Sequence, residues 1–223
     1  MGQFNQVAMV KKLLGLNKNN KRRGFFVEAG AGCGEHLSNT LYLEMKYNWT
    51  GLLVEPNPDL LELLISKHRN AWILPHCLST TPYVEVKNFD ASMYNGGILM
   101  EGKPKPSELG GRDYKKLPKR QHEREIQVQC FPLYSVLKAL NVMDVDYFSL
   151  DIEGAEFVVL KTIPWNKVNM TLLSVEINHA GDVFPGTRKD IRDLPDKNGY
   201  KFKQTVVIDD FFLNVKSKKD KKS

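Results

Sequence analysis

Two kinds of residue in this chain could do chemistry, and both sit where apolar runs end. Glycines alternate with small residues in Glu28-Ala29-Gly30-Ala31-Gly32-Cys33-Gly34, directly after Phe25-Phe26-Val27. Acids close two later runs: Glu55 follows Leu52-Leu53-Val54, and Asp151, Glu153 and Glu156 follow Phe148-Ser149-Leu150. A third run, Leu172-Leu173-Ser174-Val175, ends in Glu176, Asn178 and His179. Closely spaced glycines let the backbone turn sharply and approach a ligand, because no Cβ stands in the way. A carboxylate about twenty residues beyond such a loop can accept both hydroxyls of a ribose. A histidine beside such acids can take up a proton near neutral pH. Nucleoside binding at one end and proton transfer at the other is the chemistry these residue types suit.

The elements that must position them follow from hydrophobic patterning. Phe25–Ala29 is expected as a buried parallel strand running into a tight turn, with a helix from about Glu35 to Tyr47. Free amides at the start of that helix would offer donors to a carboxylate or phosphate. Gly51–Val54 is a second buried strand, ended by Pro56, which cannot continue a sheet ladder. A helix over Asp59–Lys67 and a third strand over Ala71–Leu74 come next, and Cys77-Leu78-Ser79 then places Ser79 near the adenine end of a nucleoside. Tyr83–Phe89 alternates as a half-exposed strand outside the parallel core, and Ile126–Phe131 returns to alternation before a helix over Leu133–Leu140. Asp146–Leu150 and Leu172–Ile177 read as the fourth and fifth core strands, the first followed by a helix through Lys161. In open parallel sheets ligands bind beyond the carboxyl ends of strands, which is where the acids cluster. Glu156 equally suits a helix's first turn, where the dipole favours an acid. Val7, Val10, Leu13 and Leu14 predict a helix before the first strand, and Arg188–Leu194 predicts one near the end. Tyr200–Val207 and Asp209–Val215 are too close together for a crossover helix, so they form an antiparallel edge pair.

Composition narrows the class. The chain has 223 residues, 42% apolar and 26% charged, as expected of a globular domain with a sizeable core. No apolar run is long enough to span a bilayer, and residues 1–10 lack a signal pattern. Gln6 stands where a myristoylation motif needs Ser or Thr. Of the net charge of +6, segments 11–23 and 216–222 hold eleven bases and one acid, leaving 21 bases against 25 acids elsewhere. Basic ends on an acidic body argue for solvated termini over a nucleic-acid surface. Cys33, Cys77 and Cys130 are scattered singly, without zinc spacing, which suggests a reducing compartment or no framework role, and a cytoplasmic protein is expected. The organisation expected is one domain over 1–215, with a mobile loop at about 100–125 that could serve as a lid, and a basic disordered tail at 216–223.

The glycine loop excludes two ligands. A dinucleotide fingerprint needs a small residue three places after its second glycine, where this chain has Glu35. A Walker loop needs Gly-Lys-Ser/Thr, which is absent here. Glu28-x-Gly30-x-Gly32-x-Gly34 instead resembles the first motif of class I S-adenosylmethionine-dependent methyltransferases. Phe25–Gly34, Leu52–Pro58 and Leu150–Glu156, in this order and spacing, resemble the FkbM-type methyltransferase family. Ser38-Asn39-Thr40-Leu41 and Trp49–Pro58 are most similar to its arthropod, Star-protein-like branch. The resemblance covers about Gln3 to Val215.

What the resemblance implies is an α/β fold: a class I methyltransferase Rossmann-like, seven-stranded, mostly parallel sheet, with helices on both faces and an antiparallel C-terminal pair. It implies S-adenosyl-L-methionine and methyl transfer to a hydroxyl of a small molecule, lipid or sugar. By position, Glu28, Gly30, Gly32 and Gly34 correspond to the cofactor loop, Glu55 to the ribose acid, and Asp151 and Glu153 to the acidic fourth-strand motif. Cys33 departs from the acid the family often carries there. His179 or Asp151 is expected to take the acceptor's proton, with Glu153 orienting the acceptor. A divalent ion on Asp151, Glu153 and Glu176 would suit the charges, but no ligand spacing demands one, and no metal is assigned. Two other functions stay open: a cofactor-fold binding module without turnover, and a nucleic-acid methyltransferase, for which no Asp/Asn-Pro-Pro-Tyr-type motif follows Asp151.

Overall fold

Burial with a period of two decides how the first strand sits. Val27 and Ala29 join one core cluster while Phe26 joins another, on the opposite side of the sheet. The structure, a computed structural model, describes residues 5–17, 19–20, 22–109 and 124–215. Among them the chain runs through α1 (Gln6–Leu14), β1 (Phe25–Ala29), α2 (Leu41–Tyr47), β2 (Thr50–Val54), α3 (Pro58–Ser66), β3 (Ala71–Leu74), β4 (Cys77–Leu78) and β5 (Glu85–Asp90). It continues with α4 (Pro106–Leu109), β6 (Glu125–Phe131), α5 (Leu133–Ala139), β7 (Asp144–Leu150), α6 (Glu156–Thr162), β8 (Asn169–Glu176), α7 (Arg188–Lys197), β9 (Tyr200–Val206) and β10 (Asp209–Asn214).

Seven strands form one sheet in the order β3-β2-β1-β7-β8-β10-β9. The first five are parallel, and β10 runs antiparallel to both neighbours. This is the seven-stranded α/β architecture expected, with its antiparallel terminal pair. Val10, Leu43, Tyr47 and Leu64 bring α1, α2 and α3 onto one face. Leu133, Leu137, Val159, Leu160 and Ile191 bring α5, α6 and α7 onto the other. Strand order reverses between β1 and β7, because one half of the chain winds outward from β1 and the other from β7. The crevice beyond their carboxyl ends is therefore the natural ligand site.

A smaller sheet, β4-β6-β5, stands apart from the main one, as the alternation of Tyr83–Phe89 suggested. Cys77 and Cys130 are direct partners across β4 and β6 and are joined by a disulfide. The expectation that the cysteines serve no framework role is thereby corrected: residues 53 apart in sequence meet because a second sheet brings them together.

The helix after the glycine loop also differs from expectation. It begins at Leu41, not near Glu35. The buried Glu28 carboxylate accepts from Ser38 Oγ at 2.9 Å, the Asn39 amide at 2.6 Å and Thr40 Oγ1. Donors that a helix start would have left free are thus drawn to an acid, and Leu37 takes a positive φ of 61°. Residues 110–123, most of the expected lid, and the tail at 216–223 lie outside the described residues.

Candidate functional site

A cavity of about 260 Å³ opens where β1, β2, β7 and β8 end. Gly30 and Gly32 supply its first wall. The Gly30 and Ala31 amides donate to the Val54 carbonyl, each at 3.1 Å, so the loop is stitched to the end of β2. Gly30 has φ +82°, and a Cβ there would stand 1.7 Å from the Asp151 carbonyl oxygen. Only glycine fits between the two strand ends. Asn39 lines the same wall. Its Nδ2 donates to Ser149 Oγ at 3.1 Å, and its buried Oδ1 has no hydrogen-bond partner among the described residues.

Glu55 follows β2 and is 5% exposed. Its Oε2 accepts the Gly32 amide at 2.7 Å and its Oε1 the Asn57 amide at 2.8 Å. Each oxygen keeps a further lone pair for a ligand hydroxyl. Burial pushes this carboxyl up to about 7, against the two amides that lower it. Tyr94, from a single 3-10 turn over Met93–Asn95, lines the same cavity. Its ring stacks obliquely on His36 with centroids 5.4 Å apart.

The ends of β7 and β8 bring Asp151, Glu153, Glu176, Asn178 and His179 to the same cavity. Burial and then the charge of Asp209 push Asp151 up to about 7. Burial and then the charge of Asp151 push Glu153 up to about 9. Glu176, 3% exposed, shares a side-chain hydrogen bond with Asp151, and burial first of all raises its carboxyl. Glu156 has a different duty. Its carboxylate takes the Ile152 amide at 2.8 Å and the Gly154 amide at 3.1 Å, closing the turn from β7 into α6. That fits its helix-start reading and frees Asp151 and Glu153 for the cavity.

Of the residues expected from sequence, Glu28, Gly30, Gly32, Glu55, Asp151, Glu153 and His179 line this cavity. Glu28 contributes from behind, since its oxygens are engaged by the 38–40 segment. Neither Gly34 nor Ser79 lines the cavity. A Cβ on Gly34 would meet Leu64 Cδ1 at 2.3 Å, so that glycine serves α3 packing. The Ser79 hydroxyl is committed to the Tyr83 carbonyl at 2.6 Å and Glu85 Oε1 at 2.8 Å. His179 Nε2 lies 3.4 Å from Glu153 Oε2. Sequence reasoning missed Asn39 and Tyr94 as site residues. Tyr94 lies in a short turn without periodicity, where the Asn95-Gly96-Gly97 turn signal was the only clue.

Residues 28–202 match the Methyltransferase FkbM domain. This chain belongs to the FkbM methyltransferase family. The matched span contains every cavity residue named above. Solved structures similar to this FkbM-family chain include the methyltransferase FkbM of Methylobacillus flagellatus KT, at 14% identity and TM-score 0.46, covering 89% of this chain and 45% of that one. The METTL16 methyltransferase domain is similar at 11% identity and TM-score 0.48, covering 94% and 65%. The 1,6-didemethyltoxoflavin-N1-methyltransferase of Burkholderia thailandensis, solved with 1,6-didemethyltoxoflavin and S-adenosylhomocysteine, is similar at 13% identity and TM-score 0.40, covering 93% and 74%. The chain spans about half the length of the Methylobacillus flagellatus protein. No curated protein matches it in sequence.

Proposed function

We propose that this FkbM-family chain binds S-adenosyl-L-methionine and methylates a hydroxyl oxygen of a small-molecule, lipid or glycan acceptor. The observation that carries the reading is one continuous cavity lined by Glu55, the glycine loop and Asp151 together. The residues present suit the cofactor. Glu55 has free acceptor capacity for two ribose hydroxyls, and the orphaned Asn39 Oδ1 suits an ammonium group. Leu78 and Cys77 provide an apolar patch for a base.

Glu55, the glycine loop and Asn39 would hold the cofactor, whose sulfonium would supply an electrophilic methyl carbon. What remains for the chain is alignment and removal of one proton. Asp151 stands at the β1/β7 crevice, next to Gly30, and is the group that accepts the hydroxyl proton. Glu153 orients the acceptor from the adjoining turn. His179 is an alternative proton acceptor from the end of β8.

The finer placement in the arthropod, Star-protein-like branch belongs to the same proposal, resting on Ser38–Leu41 and Trp49–Pro58. A cytoplasmic location loses its sequence basis, because the Cys77–Cys130 disulfide is a state that oxidising compartments preserve. Among the described residues no helix is long and apolar enough to cross a membrane.

The test is calorimetric titration with S-adenosylmethionine, followed by a labelled-methyl screen over hydroxylated lipids, sugars and small metabolites. Binding followed by label on an acceptor oxygen is expected. Binding with no transfer to any pool would point to a binding module, and no binding would remove the reading altogether.

A further inference from the structure

We propose that Glu153, Glu176 and His179 form a binding site for a divalent transition cation, best matched by Mn²⁺. One donor atom from each of the three lies within 4.8 Å of the others, the spread that a single ion can bridge. Two carboxylates and an imidazole are the donor set that Mn²⁺ accepts; Mg²⁺ and Ca²⁺ prefer oxygens alone.

Two further observations point to a ligand. Glu176 is 3% exposed and lines the cavity, yet its Oε2 finds no hydrogen-bond donor among the described residues. Glu153 Oε2 is orphaned in the same way, its neighbour being His179 Nε2 at 3.4 Å. A buried carboxylate oxygen without a donor is costly unless a cation faces it. Among the described residues no Lys or Arg forms an ion pair with Asp151, Glu153, Glu156 or Glu176.

The histidine is oriented to suit. Asn178 Nδ2 lies 3.0 Å from His179 Nε2, a contact in which Nε2 accepts when Nδ1 carries the ring proton. Nδ1 in turn faces Asp182 Oδ2 at 3.5 Å. A carboxylate behind one nitrogen and a lone pair on the other is the arrangement that metal-ligating histidines use. A cation in the cluster takes the place of the Asn178 amide as the partner of Nε2. Where the methyl-transfer reading holds, on which this role alone rests, the ion polarises the acceptor hydroxyl and eases loss of its proton.

The test uses the full chain, freed of metal by chelation, without S-adenosylmethionine, so its outcome is independent of methyl transfer. Titration with MnCl₂ followed by electron spin resonance should show one site per chain. Glu176→Gln and His179→Ala should each weaken it at least about tenfold, while His68→Ala, on another part of the fold, leaves it unchanged. If a variant fails to fold by circular dichroism, the parent still decides: its bound Mn²⁺ should show electron–nuclear coupling to a histidine nitrogen. No stoichiometric site, unchanged affinity in both folded variants, or no nitrogen coupling would overturn the proposal. Cation binding without S-adenosylmethionine binding would sink only the methyl-transfer reading.

Discussion

The Gly32 amide donates to Glu55 Oε2 at 2.7 Å, tying the glycine loop to the end of the neighbouring strand. Both residues touch the cavity, so this one contact fixes the distance between the loop and the acid. It also keeps the carboxylate from swinging into solvent while leaving lone pairs for a ligand. Loop shape and ribose recognition are therefore coupled through a single hydrogen bond.

Glu55→Ala should weaken S-adenosylmethionine and S-adenosylhomocysteine alike, since both carry the same ribose hydroxyls. The loss should be about 1.5–3 kcal/mol, the scale of hydrogen bonds to a charged group. Calorimetry with each ligand checks it. A deficit confined to one of them would remove Glu55 from the ribose.

The same residue sets a pH dependence. Its carboxyl is raised to about 7, and the ionised form has more acceptor capacity for hydroxyls. Cofactor affinity should therefore rise as pH climbs from 6 to 8, and Glu55→Gln should flatten that rise. Stability moves the other way. The folded state holds this proton more tightly than the unfolded chain, so the contribution is full below about 4.5 and is lost as pH rises through 7. Melting of the free protein and of the Glu55→Gln variant across this window separates the two effects.

Two glycines two residues apart should fail differently. Gly30→Ala places a Cβ 1.7 Å from the Asp151 carbonyl, a backbone atom that cannot step aside, so the crevice must open and the protein should lose stability. In Gly32→Ala the Cβ meets only the Tyr94 ring, at 3.2 Å. That ring can give way, leaving the strain of φ +55°, roughly 1 kcal/mol. Denaturant melts should rank Gly30→Ala well below Gly32→Ala. Equal losses would mean that the β1/β7 crevice is looser than its geometry indicates.

Much of this was legible in the sequence because parallel strands are buried on both faces. Val27, Leu52, Phe148 and Leu173 announce themselves as apolar runs, and their carboxyl ends then carry Gly30, Glu55, Asp151 and Glu176. What stayed hidden depends on contacts across long sequence distances. The 35–40 segment has a helical pattern, but a buried carboxylate ten to twelve residues earlier outcompetes it. Ser79 follows a short strand as a ligand residue might, yet Glu85 from the next strand claims its hydroxyl. Cys77 and Cys130 have no telling spacing, since their partnership depends on β4 lying beside β6. His179 was visible as a titratable strand-end residue, but its pairing with Glu153 depends on the left-handed turn at Glu153, φ 59°, which no pattern encodes.

The disulfide should matter to stability more than to the cofactor. It closes a loop of 53 residues between β4 and β6, and such closures contribute about 2–4 kcal/mol by restricting the unfolded chain. A Cys77→Ala/Cys130→Ala variant should melt several degrees lower than the parent. Because Cys77 also lines the cavity, cofactor affinity should fall only modestly. A non-reducing peptide map showing both thiols free in the native protein would contradict the pairing.

The proton-transfer edge gives the last prediction. Asp151→Asn keeps the size of the side chain and its place beside Gly30, but removes a carboxylate that can take a proton. Glu55 and the glycine loop are untouched, so S-adenosylmethionine affinity should stay within about twofold, well under the tenfold that 1.4 kcal/mol represents. Turnover on the acceptor returned by the labelled-methyl screen should fall at least about a hundredfold, the usual scale for a positioned base. His179→Gln distinguishes the two candidates at this edge. If Asp151 takes the proton and His179 serves the cation, added MnCl₂ should restore part of the His179→Gln turnover and none of that lost in Asp151→Asn. Full turnover in Asp151→Asn would move the proton acceptor to His179 or to the substrate's own solvent shell.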